Sequence, residues 1–273
     1  MMIFLDAFPW DTTTLYLAVG LTAGMLAGLF GIGGGILLVP FLLWSLPQQG
    51  VSADGLMLTA LGTSFGVILP TSSASGIAHA RRGNVCWRSV SGLAPGLLLG
   101  TSAGAHLASG LPAGYLVIAF AIFQTYVAAR LVWQRPQASV AMDHPTSRGS
   151  LFLAGTAIGA LSALFGIGGG TLTVPYLLRH QLNIRQAIGT SAICGIPIAL
   201  SGLMTYVWLG WQHGEPAPHM LGYLWWPGAV ALALTGLLAA PWGARLATHL
   251  PMEKLRVYFA LLLLGIATRL LLR

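Results

Sequence analysis

Gly28-Leu29-Phe30-Gly31-Ile32-Gly33-Gly34-Gly35-Ile36-Leu37-Leu38-Val39-Pro40 is written a second time as Phe165-Gly166-Ile167-Gly168-Gly169-Gly170-Thr171-Leu172-Thr173-Val174-Pro175, 135 residues further along a chain of 273. Each copy lies inside an apolar run of about thirty residues, long enough for a helix to cross a bilayer. Glycine costs a helix interior about 1 kcal/mol relative to alanine and proline about 3. A run of glycines followed by proline therefore reads as a helix interrupted at a set point, once in each half of the chain.

The surrounding composition says where those helices lie. Apolar residues make up 56% of the chain and charged residues 7%, against roughly 25% charged in a soluble domain. The apolar runs do not alternate with polar residues, as the strands of a membrane barrel would. The fold class is all-α integral membrane. Eight hydrophobic segments can be marked, at 14–46, 55–78, 89–109, 113–133, 150–178, 186–210, 221–248 and 254–272. Asp6 and Asp11 precede the first one and no Lys or Arg does, so the positive region of a signal peptide is missing and the first segment is expected in the mature fold.

The duplication extends beyond the glycine runs. Leu61-Gly62-Thr63-Ser64 recurs as Ile188-Gly189-Thr190-Ser191, with Pro70 and Pro197 six residues after each block. Gly104-Ala105-His106-Leu107-Ala108 likewise recurs as Gly243-Ala244-Arg245-Leu246-Ala247. Three blocks in one order define two repeats, 1–133 and 150–273, joined by a polar linker at 134–149. Charge suggests how they are oriented. If all eight segments cross once, the thirteen Lys and Arg divide eight against five. If segments one and five turn back at their glycine runs as hairpins with two arms of about fifteen residues, eleven fall on one side, and only Arg269 and Arg273 on the other. The positive-inside rule favours the second arrangement. It makes the repeats inverted in topology, the linker cytoplasmic, both termini external, and the crossings eight to ten in number.

Several function classes drop out. Gly31-Ile32-Gly33-Gly34-Gly35 is no dinucleotide fingerprint, because the third glycine of that pattern would fall on Ile36, and the lysine of a phosphate-binding loop is absent. The net charge of +7 sits at segment ends, with no basic run to suggest nucleic acid. No catalytic, cofactor or metal constellation can be assembled, so no enzyme is expected. Every carboxylate lies in a loop or at a segment end, which removes the intramembrane acid common in proton and sodium pumps. His106 is then the candidate coupling group, with His79 near a segment end and Arg245 reading as an interface anchor. Gly92, Gly96, Gly100 and Gly104 recur every fourth residue as a helix-packing stripe. Trp225, Trp226 and Trp242 read as interfacial or core aromatics, and Cys86 and Cys194 as free packing thiols.

The candidate site follows from the breaks. A helix restarted at mid-depth points free backbone N–H groups and the positive end of its dipole at a ligand, a neutral way to hold an anion. Gly33, Gly34 and Gly35 with Gly168, Gly169 and Gly170 would supply those donors. Thr63, Ser64, Thr190 and Ser191 would supply hydroxyls, and Ser72, Ser73, Ser75 and Ser201 could extend the polar lining.

The paired glycine runs, their Val39-Pro40 and Val174-Pro175 endings and the Gly-Thr-Ser blocks resemble the TauE/SafE sulfite exporter family, also called the 4-toluene sulfonate uptake permease family, over essentially the whole chain. Thr171, where the first copy has Ile36, is the departure noted. The resemblance implies a secondary transporter of a small sulfur-containing anion, sulfite or a sulfonate, in a bacterial inner membrane, with no cofactor and the lipid bilayer as its surroundings. The alternatives are a passive anion channel on the same scaffold and a membrane sulfur-transfer protein using Cys194. The direction of transport and the oligomeric state stay open, a homodimer included.

Overall fold

The computed structural model describes residues 10–30, 34–133, 147–180, 182–213, 219–246 and 252–271. Among them are ten α-helices: α1 (Trp10–Phe30), α2 (Gly35–Ser45), α3 (Ala53–Ala80), α4 (Trp87–Ser109), α5 (Ala113–Trp133), α6 (Arg148–Phe165), α7 (Gly170–Arg179), α8 (Ile184–His213), α9 (Trp226–Leu246) and α10 (Met252–Leu271). A two-residue hairpin, β1 (Met220–Leu221) with β2 (Leu224–Trp225), is paired Met220 to Trp225 and precedes α9. Both termini and linker residues 134–146 lie outside the described residues.

By length and composition five helical stretches can cross a membrane: Ala53–Ala80, Ala113–Arg130, Arg148–Phe165, Ile184–His213 and Trp226–Leu246, while Thr13–Leu29, Gly35–Gln49 and Ala260–Leu271 are shorter and apolar. The chain is a multi-pass helical membrane protein.

Both glycine runs do interrupt their helices. α1 ends at Phe30 and α2 begins at Gly35; α6 ends at Phe165 and α7 begins at Gly170. The arms are unequal, however: 21 residues and then 11 in the first half, 18 and then 10 in the second. The reason is packing. Added Cβ atoms on Gly20, Gly24 and Gly28 would collide with the backbone of α9 at Leu232, Gly236 and Ala240, so α1 lies flush against α9 and stays helical to the end of that seam. Gly96, Gly100 and Gly104 of α4 meet the backbone of α6 at Phe152, Thr156 and Ala160 in the same way. In lipid, helices associate through such close van der Waals contact rather than by expelling water. The stripe of glycines in α4 is thus a packing seam.

These seams join the halves to each other. α1 pairs with α9 and α6 with α4. α3 packs on α8 at the centre, α9 lies along α3, and α4 along α8. α5 meets α10, while the short helices α2 and α7 lean on α3 and α8 of their own halves. Each of these main pairings either joins equivalent helices or has a counterpart with the halves exchanged. At the core Phe65 of α3 stacks on Tyr206 of α8 with ring centroids 5.9 Å apart. The Tyr206 hydroxyl donates to the carbonyl of Ala163, near the end of α6, at 3.0 Å.

Candidate functional site: the meeting of the two breaks

The two breaks touch. A Cβ on Gly35 would overlap the Gly166 carbonyl oxygen and come within 2.9 Å of the Ile167 Cα, so the start of α2 abuts the loop between α6 and α7 directly. Gly166, with φ 57°, takes the left-handed turn that ends α6, and Gly34, with φ 77°, takes the one that enters α2. Gly34, Gly35, Gly168, Gly169 and Gly170 are all buried. Gly33 lies outside the described residues.

Depth can be read along α3. Ser64, about 17 Å from the helix start at 1.5 Å per residue, donates to the Gly166 carbonyl at 3.0 Å and to its own Leu61 carbonyl at 2.7 Å. A second break seated there is near the middle of a 28-residue helix. α2 and α7 therefore begin inside the protein, and the first N–H groups of each have no carbonyl four residues back to bond. Backbone of this kind is tolerated at membrane depth where protein buries it.

The hydroxyls of the repeated Gly-Thr-Ser blocks are engaged with backbone. Thr63 accepts the Trp225 N–H at 3.0 Å, and Thr190 accepts the Cys86 N–H at 2.9 Å. Each threonine thus holds the turn that enters a helix of the opposite half. Ser191 donates to the Ile188 carbonyl at 2.8 Å, matching Ser64 to Leu61. All four side chains are fully buried. Their neighbours Gly62 and Gly189 admit the Tyr223 and Asn84 carbonyls at van der Waals range or closer, again as a matched pair.

The second break carries further polar groups. Thr173, fully buried, has a hydroxyl with no hydrogen-bond partner within the protein, and it lies 3.1 Å from where a Cβ on Gly169 would stand. The Thr171 and Tyr176 hydroxyls on the same helix are also buried and unpartnered. Ser72 of α3 reaches the same region: its Oγ would be 2.6 Å from a Cβ on Gly195, which in turn faces the Gly169 N at 3.9 Å. Ser73 returns its proton to the Leu69 carbonyl, and Ser201 donates to the Leu98 carbonyl of α4. Ser75 is buried and unpartnered.

The ionisable groups are elsewhere. His106 is on the exposed face of α4 with Nδ1 2.9 Å from the Ser102 carbonyl. His79 is buried, with Nε2 3.3 Å from the Gly28 carbonyl, near the end of α1. Arg245 lies 5.6 Å over the ring of the exposed Trp242. Trp225 is buried in the hairpin, and Cys194 is wholly buried on α8. A cavity of about 570 Å³ opens between α2 and α10, lined by Leu37, Phe41, Trp44, Leu261 and Ile266 among others. Its lining is largely apolar, with Arg269 as the charged residue.

Sequence reasoning missed Thr173 and Tyr176. The signal was available: where the second copy has Thr171, Thr173 and Tyr176, the first has Ile36, Leu38 and Phe41.

Comparison with known proteins gives the kinship. Residues 16–270 match the family model described as sulfite exporter TauE/SafE. A "probable membrane transporter protein" of Haemophilus influenzae is 36% identical over 259 residues, covering 95% of this chain and 98% of that one. One from Xylella fastidiosa is 31% identical over 89% of each chain, and one from Methanocaldococcus jannaschii 27% identical over 91% of each. No solved structure matches. A family match over nearly the whole length, on a helical membrane fold organised around two glycine breaks, places the chain in the TauE/SafE sulfite exporter family.

Proposed function

We propose that the protein is a secondary transporter that moves a small sulfur-containing anion, sulfite or a sulfonate, across a bacterial inner membrane by alternating access. The observation that carries this reading is the contact of the two breaks, Gly35 against Gly166, at the middle of α3. It sets the start of α2 against the turn that closes α6, four residues before α7 begins, and helix N-termini in the interior favour an anion without a buried cation. Gly33, Gly34, Gly35, Gly168, Gly169 and Gly170 frame the site with backbone. Thr63, Ser64, Thr190 and Ser191 line it in this reading; the first three hold its shape through bonds to the opposite half, and Ser191 bonds its own helix. The sulfur anion comes from the family's description.

The repeats are inverted in this reading. The exchange of partners between halves supports it, as does the division of positive residues into eleven and two. The moving bodies are then not the two sequence halves, because the glycine seams tie α1 to α9 and α6 to α4. Each seamed pair moves as a unit against the α3–α8 core, opening the breaks to one side and then the other.

Counterflow in proteoliposomes tests the transporter: vesicles loaded with unlabelled sulfite should accumulate labelled sulfite transiently and saturably. Linear, unsaturable uptake with single-channel current would replace the carrier by a channel. Cysteines introduced at position 50 and in the linker test the topology, position 50 labelling from outside and the linker from the cytoplasm. Labelling of both from one side would refute the inversion.

A further inference from the structure

The two glycine runs are alike in sequence, but Gly34 enters α2 in the left-handed region where Gly169 enters α7 in the right-handed one, and the side chains that follow differ. Counting from the last glycine before each helix, residues i, i+4 and i+7 share a face. In α2 that stripe reads Gly34, Leu38, Phe41; in α7 it reads Gly169, Thr173, Tyr176. The second copy differs by two hydroxyl groups on one line. On the α2 stripe Leu38 is fully buried, and the half-buried Phe41 meets the Tyr16 ring edge-on at 4.8 Å and also lines the cavity beside α10. The only polar side chain within α2 is Ser45, at its end, where it accepts the Tyr16 hydroxyl at 2.7 Å. On α7, by contrast, the Thr173 and Tyr176 hydroxyls are buried with no hydrogen-bond partner among the described residues.

A buried hydroxyl without a partner costs about 1–3 kcal/mol, and a threonine in a helix commonly relieves this by bonding the carbonyl one turn back. Thr71, Thr125, Thr156 and Thr205 all do so, whereas Thr101 on α4 and Thr171 on α7 do not. Thr173 does not, and its oxygen is held beside Gly169, the residue whose N–H opens α7. Ser72 approaches the same point from α3, across Gly195. The neighbouring α8 contributes Ile198 and the Ser191 carbonyl beside Gly169.

We propose that the anion is held from one side. Thr173, with the N–H groups of Gly169 and Gly170 and with Ser72 opposite, forms the donor wall at the second break. Tyr176 extends that wall one turn along α7, toward the His180 ring 4.3 Å beyond it. The first break, with Ile36, Leu38 and Ile68, is the apolar wall. The ligand class is a small oxyanion whose oxygens gather on one side, as in sulfite or an alkyl sulfonate. This rests on the transporter reading above and deepens it: a doubled scaffold carries a single-sided site.

The test uses the full chain, purified in detergent, with sulfite, thiosulfate, methanesulfonate, sulfate and phosphate titrated by calorimetry and by thermal shift. Thr173→Val should weaken the best-binding anion about 10- to 100-fold, the loss of one hydrogen bond to a charged group. Its melting temperature without anion should stay level or rise, because the substitution removes an unpartnered hydroxyl from a buried position. Thr173→Ser should keep affinity within about threefold, and the control Thr125→Val should bind as wild type. Binding by Thr173→Val within about twofold of wild type, or recovery of binding on adding Leu38→Thr to it, overturns the one-sided wall and leaves the transporter reading standing. Binding of phosphate alone overturns the sulfur reading, while the Thr173 comparison is still decided on phosphate. A wild type stabilised by none of the five anions overturns both.

Discussion

Replacing Gly35 by alanine puts one methyl group where the two breaks meet. Its carbon would overlap the Gly166 carbonyl oxygen, stand 2.9 Å from the Ile167 Cα and 2.8 Å from the Ile68 δ-methyl. The isoleucine can turn away, but two of the three obstacles are backbone and cannot. Ordinary contact lies at 3.4–4 Å, so α2 and the second break must separate by about 1 Å. Overpacking of this kind costs about 1–3 kcal/mol, offset by at most about 0.5–1 from alanine's smaller entropy loss. The net loss of roughly 1–2 kcal/mol should lower the melting temperature by about 2–6 °C in a chain of this size. Gly265→Ala is the comparison, because a Cβ there meets nothing within 4 Å and should raise stability by about 0.5–1 kcal/mol. Tryptophan fluorescence in detergent reads the melting, and sulfite counterflow reads the function. Gly35→Ala should lose most counterflow even at temperatures where it is folded, because the start of α2 is pushed off the second break. Wild-type melting and wild-type flux in that variant would refute the claim that the breaks form one site.

Thr63→Val and Thr190→Val should each strand a backbone N–H of the opposite half, Trp225 in one case and Cys86 in the other. Both should lower unfolding free energy by about 1–3 kcal/mol, and equal losses in denaturant melts would mark them as equivalent positions. Cys194→Ala should leave counterflow intact, since the thiol is wholly buried on α8; abolished activity would revive sulfur transfer. His106→Gln should leave the pH profile of transport unmoved, because the ring is exposed and bonded to its own helix; a shifted profile would make it the coupling group.

Much of this was legible in the residues. The doubled glycine runs announce the breaks, and the four-residue spacing from Gly92 to Gly104 announces a helix seam. What spacing cannot name is the partner across that seam, which is α6 rather than a sequence neighbour. For the same reason the arms were expected equal: chain length divides a segment evenly, whereas the α1–α9 contact decides where α1 stops. Thr63 and Thr190 stood out by recurrence, but the N–H groups they accept come from 162 and 104 residues away. Local pattern carries no trace of such bonds. The Thr173 difference was visible in the aligned copies, yet only burial without a partner gives it weight.

The crossing of partners between halves has a consequence for how the chain is made. When α1 leaves the ribosome, the helix that will cover Gly20, Gly24 and Gly28 is α9, starting at Trp226. At about 5–20 residues per second, that helix arrives roughly 10–40 s later. During that interval lipid, or an insertion factor, must cover a face shaped for another backbone. The first half cannot settle before the second exists, so quality control in the membrane would meet it as an open intermediate. Severing the chain in its linker should therefore yield two fragments that accumulate only when made together.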